Sequence, residues 1–196
     1  MLRFSSMNQE NEKLSPQQSL DLITQMIDQA KGNVRDNSFY YLFWGWVLIG
    51  AHIGSFALHR LDFNYPFVVW LIVIPAWIIS FTYGSRQSKK QNRSTTHLEK
   101  VNLTLWISFG TLAIVIPFFG SFINYQINPI ILLVGSIATL TSGAILKYLP
   151  LMLGGGLFFI GGLLSFFLSH EMQSLAAAST IALGYLVPGY LLKLQK

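Results

Sequence analysis

The 196-residue chain contains no cysteine, which excludes a disulfide, a thiolate metal site and a cysteine nucleophile. Charge is scarce as well. Asp, Glu, Lys and Arg make up 11% of the residues, less than half the roughly 25% of an ordinary soluble domain. Motifs that announce catalysis are missing: there is no GxSxG elbow, no HExxH helix, no P-loop and no DxD carboxylate pair. The glycines at 154–162 lie inside an apolar run with no lysine to meet a phosphate. These gaps argue against a soluble globule, a disordered chain and a membrane enzyme. No catalytic residue, metal ligand or cofactor is expected.

What is present is apolar length. Six runs, at 39–58, 65–83, 103–123, 129–146, 151–169 and 174–192, have 18 to 21 residues each, and none of the 13 basic and 8 acidic residues falls inside them. A hydrocarbon core about 30 Å thick needs about 20 helical residues, so every run is long enough to cross a bilayer. The expected fold class is all-α, a polytopic membrane protein with six transmembrane helices.

Six crossings put both termini on one side. Arg3, Lys13, Lys31, Arg35, Arg86, Lys89, Lys90, Arg93, Lys100, Lys147, Lys193 and Lys196 fall on that side, and only Arg60 falls opposite. Basic loops stay in the cytoplasm, so both termini are expected there. The net charge of +5 and pI near 9.5 then follow from topology and anionic inner-leaflet lipid, with no need for nucleic acid. Residues 1–38 are polar and the first run is too long for the core of a cleavable signal, so the first span is expected to serve as an uncleaved insertion signal.

Residues 1–14 read as a flexible cytoplasmic tail in which Met1 and Met7 are both candidate starts. Ser15, Pro16 and Gln18 then form a helix-start arrangement of N-cap, first-turn proline and N3 glutamine. On a helical wheel Leu20, Leu22, Ile23, Met26, Ile27, Ala30 and Val34 occupy one arc of about 160°, opposite Asp21, Thr24, Gln25, Asp28, Gln29 and Lys31. An amphipathic cytoplasmic helix and elbow is therefore predicted over 15–37, ahead of a six-helix domain at 38–196. Lipid-adhering helices carry Lys and Arg on the polar face, whereas this face offers two aspartates and one lysine. Docking on protein is favoured over lipid adhesion, with Leu20, Ile23, Met26 and Ile27 turned to the bundle or to a partner. The basic stretch 84–102 reads as a loop that anchors topology or binds acidic lipid or protein.

Within the runs, small residues recur at spacing four: Gly50 and Gly54; Gly135, Thr139 and Gly143; Ala176, Thr180 and Gly184; with further glycines at 154–156 and 161–162. Such stripes let helices approach closely in lipid and are expected as seams of a compact bundle. Pro75, Pro117 and Pro188 are expected to kink their spans, and the late prolines of the third and sixth spans hint at related halves. The rings from Phe39 to Trp46 read as an interfacial belt.

Tyrosines aside, His52 is the one titratable residue inside a run, with Ser55 and then His59 following on nearly the same face. A metal or proton relay would need further partners, and the nearest in sequence are Asp62, His170 and Glu171. The candidate polar interior site is His52, Ser55, Thr111, Ser136, Thr139 and Thr141.

Ser15-Pro16-Gln17-Gln18-Ser19-Leu20, followed by the stretch Arg35-Asp36-Asn37-Ser38-Phe39-Tyr40-Tyr41-Leu42-Phe43-Trp44-Gly45-Trp46, resembles the opening of a group of uncharacterised small bacterial six-span integral membrane proteins. The likeness is specific over about a sixth of the chain and is a pattern of spans elsewhere. It implies a bacterial inner membrane and brings no activity or site residues. Two functional expectations follow. The first is a non-enzymatic regulatory or accessory subunit, embedded in the lipid bilayer and acting through a cytoplasmic protein partner or as a homo-oligomer. The alternative is a small uncoupled transporter or channel for a neutral or apolar solute.

Overall fold

The computed structural model describes Gln17, Leu20 and residues 38–91 and 97–194, and these contain no strand. Helix α1 (Ser38–Arg60) is followed by a 3-10 segment (Pro66–Ile72) that runs into α2 (Val73–Gln91). Helix α3 (His97–Val115) runs into a second 3-10 segment (Ile116–Ile123). Then come α4 (Ile127–Ile145), α5 (Leu149–Ser165) and α6 (His170–Ile181), the last continuing through a π-helical segment (Ala182–Leu186) into α7 (Val187–Leu194). Five of the resulting rods, Ser38–Arg60, Pro66–Gln87, Leu98–Ile123, Ile127–Ile145 and His170–Leu194, are long and apolar enough to cross a membrane. The sixth, α5, has 17 residues, about 25 Å of helix and near the lower limit for a crossing. The amphipathic helix expected over 16–34, with Ile23, Met26 and Ile27, lies outside the described residues except for Gln17 and Leu20, which are helical and exposed.

The basic stretch 84–102 is not a simple loop. Helix α2 runs on to Gln91 and α3 begins at His97. Arg, Lys and Gln are good helix formers, so the fall in hydropathy after Tyr83 marks a change of expected solvent and not the end of the helix.

Each mid-run proline sits where the helix changes its hydrogen-bond period. Pro75 is the third residue of α2, directly after the first 3-10 segment; Pro117 is the second residue of the other 3-10 segment; Pro188 follows the π segment, whose exit bond runs from the Val187 N–H to the Ala182 carbonyl. Proline removes one donor and crowds the carbonyl four residues back, and tightening or widening the turn relieves that crowding. The third and sixth runs carry opposite distortions, tightened beside Pro117 and widened beside Pro188, so their late prolines do not make the two halves alike.

Two contacts define one end of the bundle. Arg60 Nε lies 3.4 Å from a Glu171 carboxylate oxygen, and Gln173 Nε2 donates to Gln126 Oε1 at 2.7 Å. At the other end Trp46 Nε1 donates to the Tyr190 hydroxyl at 3.2 Å and the Tyr148 hydroxyl to the Pro188 carbonyl at 3.0 Å. Helix α1 therefore runs antiparallel to α6 and α7. Helices α1 and α4 both close on left-handed residues, Asp62 (φ 50°) and Lys147 (φ 52°). In each case the next residue reaches back five positions, Phe63 N–H to Leu58 and Tyr148 N–H to Gly143, the Schellman arrangement that glycine normally completes.

The closest packing surrounds α5. Gly155 and Gly162 face α4, where an added Cβ would meet the Leu140 nitrogen at 2.7 Å and the Leu133 nitrogen at 3.2 Å; Gly154 and Gly161 face the Gly184 carbonyl and Thr180. The small-residue stripes thus work as seams between helices of one chain. Gly54 is covered by Val69, while Gly50 is open. Helix α1 joins through the buried stripe Tyr41, Gly45, Ile49, His52 and Ser55, with Gly45 against Leu186 and Tyr185, and Gly189 against Leu42 and Tyr41.

Helices α2 and α3 are peripheral: 11% of the apolar stretch of each rod is buried, against 44% for α4 and 50% for the rod of α6 and α7. Helix α2 packs on α1 through Phe39 and Tyr83 (ring centroids 3.9 Å apart) and Trp44 and Trp77 (5.5 Å), while α3 packs on α4. The two meet where Trp77 covers Gly110. The aromatic residues that open the first run therefore clamp α1 to α2 as well as placing rings near its end.

Candidate functional site

Polar side chains enter the interior from several elements, and some of them bond to one another. Near the Leu146–Lys147 turn, Ser142 on α4 donates to Asn102 Oδ1 at 2.7 Å and accepts from Trp106 Nε1 at 3.0 Å, both on α3. Three residues earlier Thr139 donates to the Gly135 carbonyl at 2.7 Å, and its oxygen lies 3.3 Å from the Tyr185 hydroxyl of the π segment. The Tyr185 ring is held among Phe158, Tyr41 and Trp106, at centroid distances of 4.8, 5.8 and 6.2 Å. Thr139, Ser142 and Tyr185 are buried, and leaving one of their hydroxyls unpaired would cost about 1–3 kcal/mol, so these contacts fix how α1, α3, α4 and the π segment meet. The bonded groups are hydroxyls, an indole and a carboxamide. They can donate and accept hydrogen bonds, but none supplies a general base near neutral pH.

The six residues expected to line one polar site are distributed differently. His52 and Ser55 are buried on α1, which packs against α2, the first 3-10 segment, α6, the π segment and α7. Ser136 and Thr139 are buried on α4, whose backbone neighbours are α3, α5, α6 and the second 3-10 segment. Ser136 donates to the Leu133 carbonyl at 2.7 Å. Thr141 is half-buried, and Thr111 is exposed and bonded to the Ile107 carbonyl of its own helix. Of the six, Thr139 belongs to the group around Tyr185. Of the four residues proposed to face a partner from the amphipathic helix, Leu20 alone is described.

Asn102, Ser142, Tyr41 and Tyr185 were not singled out by sequence reasoning. Asn102 stands one residue before the third apolar run, and both tyrosines are as apolar in pattern as their neighbours. Ser142 shares a helix face with Thr139 by its spacing of three, which was a readable signal.

At the opposite end, Gln173 also donates to the Leu168 carbonyl at 3.3 Å and so ties together two connections of the bundle. The Arg60 guanidinium lies 5.4 Å from the centre of the Phe56 ring in addition to its contact with Glu171. Among the described residues, no group of three or more His, Asp or Glu side chains is placed to hold a metal ion. Three buried polar atoms there have no hydrogen bond: His52 Nδ1, Ser80 Oγ and Ser165 Oγ. The His52 ring stands at 89° to Trp70, 4.9 Å away. His59 does not share that environment, because its Nδ1 is 3.1 Å from the Ser55 carbonyl.

Fold and interior together define a class: a helical bundle of rods apolar enough to cross a membrane, with two small groups of polar side chains bonded between its helices. Comparison with protein-family models, curated proteins and solved structures finds no match to the chain.

Proposed function

We propose that this chain is a non-enzymatic multi-pass protein of a bacterial inner membrane, with both termini in the cytoplasm, and that it works as a regulatory or accessory subunit through contacts on that side. The observation that supports this reading is the bonding of Asn102 and Trp106 to Ser142, and of Thr139 to Tyr185, across three elements. Such bonding uses these five groups to hold the bundle together. Groups able to recognise a partner then lie at the helix ends, where Arg86, Lys100, Lys147 and Lys193 are exposed on the side read as cytoplasmic from the distribution of basic residues, and in the segment 16–34, whose sequence reads as an amphipathic helix. Affinity purification from mildly solubilised membranes should return a protein partner, and deletion of residues 8–34 should remove it. Absence of a partner, together with a deletion that changes neither abundance nor phenotype, would sink the proposal.

The two 3-10 segments favour a second reading, a small uncoupled transporter or channel for a neutral or apolar solute. They place irregular helix in both peripheral rods at the same end of the bundle, and broken helices can line a substrate path. Uptake of such a solute into vesicles containing the purified chain, lost on closing the 3-10 segments with a cross-link, would favour it over the first.

A further inference from the structure

We propose that His52 is a proton-binding site reached from the Arg60 end of the bundle, and that its protonation releases the 3-10 segment Pro66–Ile72 from α1. His52 is 6% exposed, its Nδ1 has no hydrogen-bond partner, and the ring of Trp70 closes over it. Among the described residues, none that is shown against His52 carries a countercharge. Gly45 lies against Tyr185 and Leu186, and Arg60 pairs with Glu171. That antiparallel register puts Ala177 and Ala178, both buried, opposite His52. The 3-10 segment brings Trp70 and Val69 and has no titratable side chain. On α1 itself the nearest titratable and charged groups are His59 and Arg60, roughly 10–12 Å along the helix, with Asp62 just beyond them and His170 and Glu171 across from them, Glu171 engaged by Arg60; Tyr83 of α2 and Tyr190 of α7 lie towards the opposite end, beside Phe39 and Trp46. An imidazolium formed in place would be a buried, unpaired charge, which proteins avoid by exposing or neutralising the group. Proton uptake from water at His52, with no other bond made or broken, therefore goes with opening.

Of the described elements packed on α1, the 3-10 segment is the one without a buried residue. None of the residues of Pro66–Ile72 is buried, its neighbours among the described elements are α1 and α2, and its i to i+3 hydrogen bonds have poorer geometry than those of an α-helix. Its contacts with α1 include Val69 over Gly54, 2.9 Å from where a Cβ would stand, and Trp70 beside His52. Ser55 and His59 continue the face of His52 towards the Arg60 end by spacings of three and seven, so a short polar track leads outward once the segment lifts. The neutral imidazole favours the closed segment and the protonated one the open segment, so acid shifts the population towards opening.

The absence of cysteine makes the test clean. Val69→Cys supplies the sole thiol, and its reaction with a hydrophilic maleimide is timed in lipid nanodiscs, where both faces are accessible, with His52 present and with His52→Gln. The ratio of the two rates at each pH cancels the pH dependence of the thiol itself. The ratio should be near one at pH about 7.5 and rise to about fivefold or more as pH falls through the histidine range to about 5, while His59→Gln leaves that rise intact. A ratio that stays flat, or a rise that persists without His52, overturns the proposal. If His52→Gln melts at neutral pH, His52→Asn takes its place. If both melt, the imidazole 15N shifts of His52 decide: titration in step with Val69→Cys labelling supports the switch and an unchanging neutral ring overturns it.

Discussion

Replacing Gly154, Gly155 and Gly156 in turn by alanine adds one methyl group at three consecutive positions of α5, and the packing gives the three additions different consequences. At Gly154 the new Cβ would press on the Gly184 carbonyl oxygen and stand 3.0 and 3.1 Å from the carbonyl carbon and Cα of the same residue. All three are backbone atoms, so no rotamer change relieves the contact and the two rods must part. At Gly155 it would meet Leu140 N and Cγ, each at 2.7 Å; the leucine tip can move but the nitrogen cannot. At Gly156 nothing lies within 4 Å. Overpacking of this kind costs about 1–3 kcal/mol and occasionally more, against a gain of up to about 1 kcal/mol in helix propensity for Gly to Ala in water. The expected order is a loss of about 2 kcal/mol or more for Gly154→Ala, about 1–2 for Gly155→Ala, and no loss or a gain of up to about 1 for Gly156→Ala. Equilibrium unfolding of the purified variants in mixed micelles of rising SDS fraction, followed by tryptophan fluorescence, reads all three on one scale. Equal effects at the three positions, or Gly156→Ala as the most damaging, would refute the seam geometry around α5.

Three further outcomes follow from single contacts. Lys147 holds a left-handed conformation (φ 52°) that costs a residue with a Cβ about 1–2 kcal/mol, so Lys147→Gly should raise stability in the same titration by up to about 1 kcal/mol, whereas Lys147→Val should lower it. Ser142→Ala removes the partner of both Asn102 and Trp106 and should cost about 1–3 kcal/mol; in a double-mutant cycle with Asn102→Leu the second change should cost much less than it does alone. The Arg60–Glu171 pair is more than a third exposed on both sides, so Glu171→Gln should change stability by less than about 1 kcal/mol, with most of the effect screened by salt.

The rods were legible in the sequence because apolar length and the exclusion of charge both report crossing distance, and neither depends on knowing a neighbour. The small-residue stripes were legible for a related reason: Gly155, Gly161 and Gly184 have no use on a lipid-facing surface that a larger residue would not serve as well. Which face of each helix is buried was not legible. In water the inward face of a helix is the apolar one, but in a bilayer both faces are apolar, so nothing in the pattern separates buried Ile49 from exposed Ile53 on α1. The polar interior was misgrouped for the same reason. Thr111 and Thr139 look alike in sequence, and only the packing of α3 at the periphery and α4 at the centre leaves one exposed and the other against Tyr185. The prolines announced irregular helix, but the choice between a tightened turn at Pro117 and a widened one at Pro188 depends on what each rod leans against, and Gly154 beside Gly184 has no counterpart near Pro117.

The central claim is that the rods cross a membrane with the connections around Asn64 and Ser169 on one side and the Lys147 turn on the other. Because the chain has no cysteine, single thiols at these three positions report their side directly, through labelling by a membrane-impermeant maleimide in cells whose outer membrane alone has been opened. Asn64→Cys and Ser169→Cys should label at once, and Lys147→Cys only after the inner membrane is permeabilised. Immediate labelling of Lys147→Cys, or protection of the other two until permeabilisation, would contradict the account.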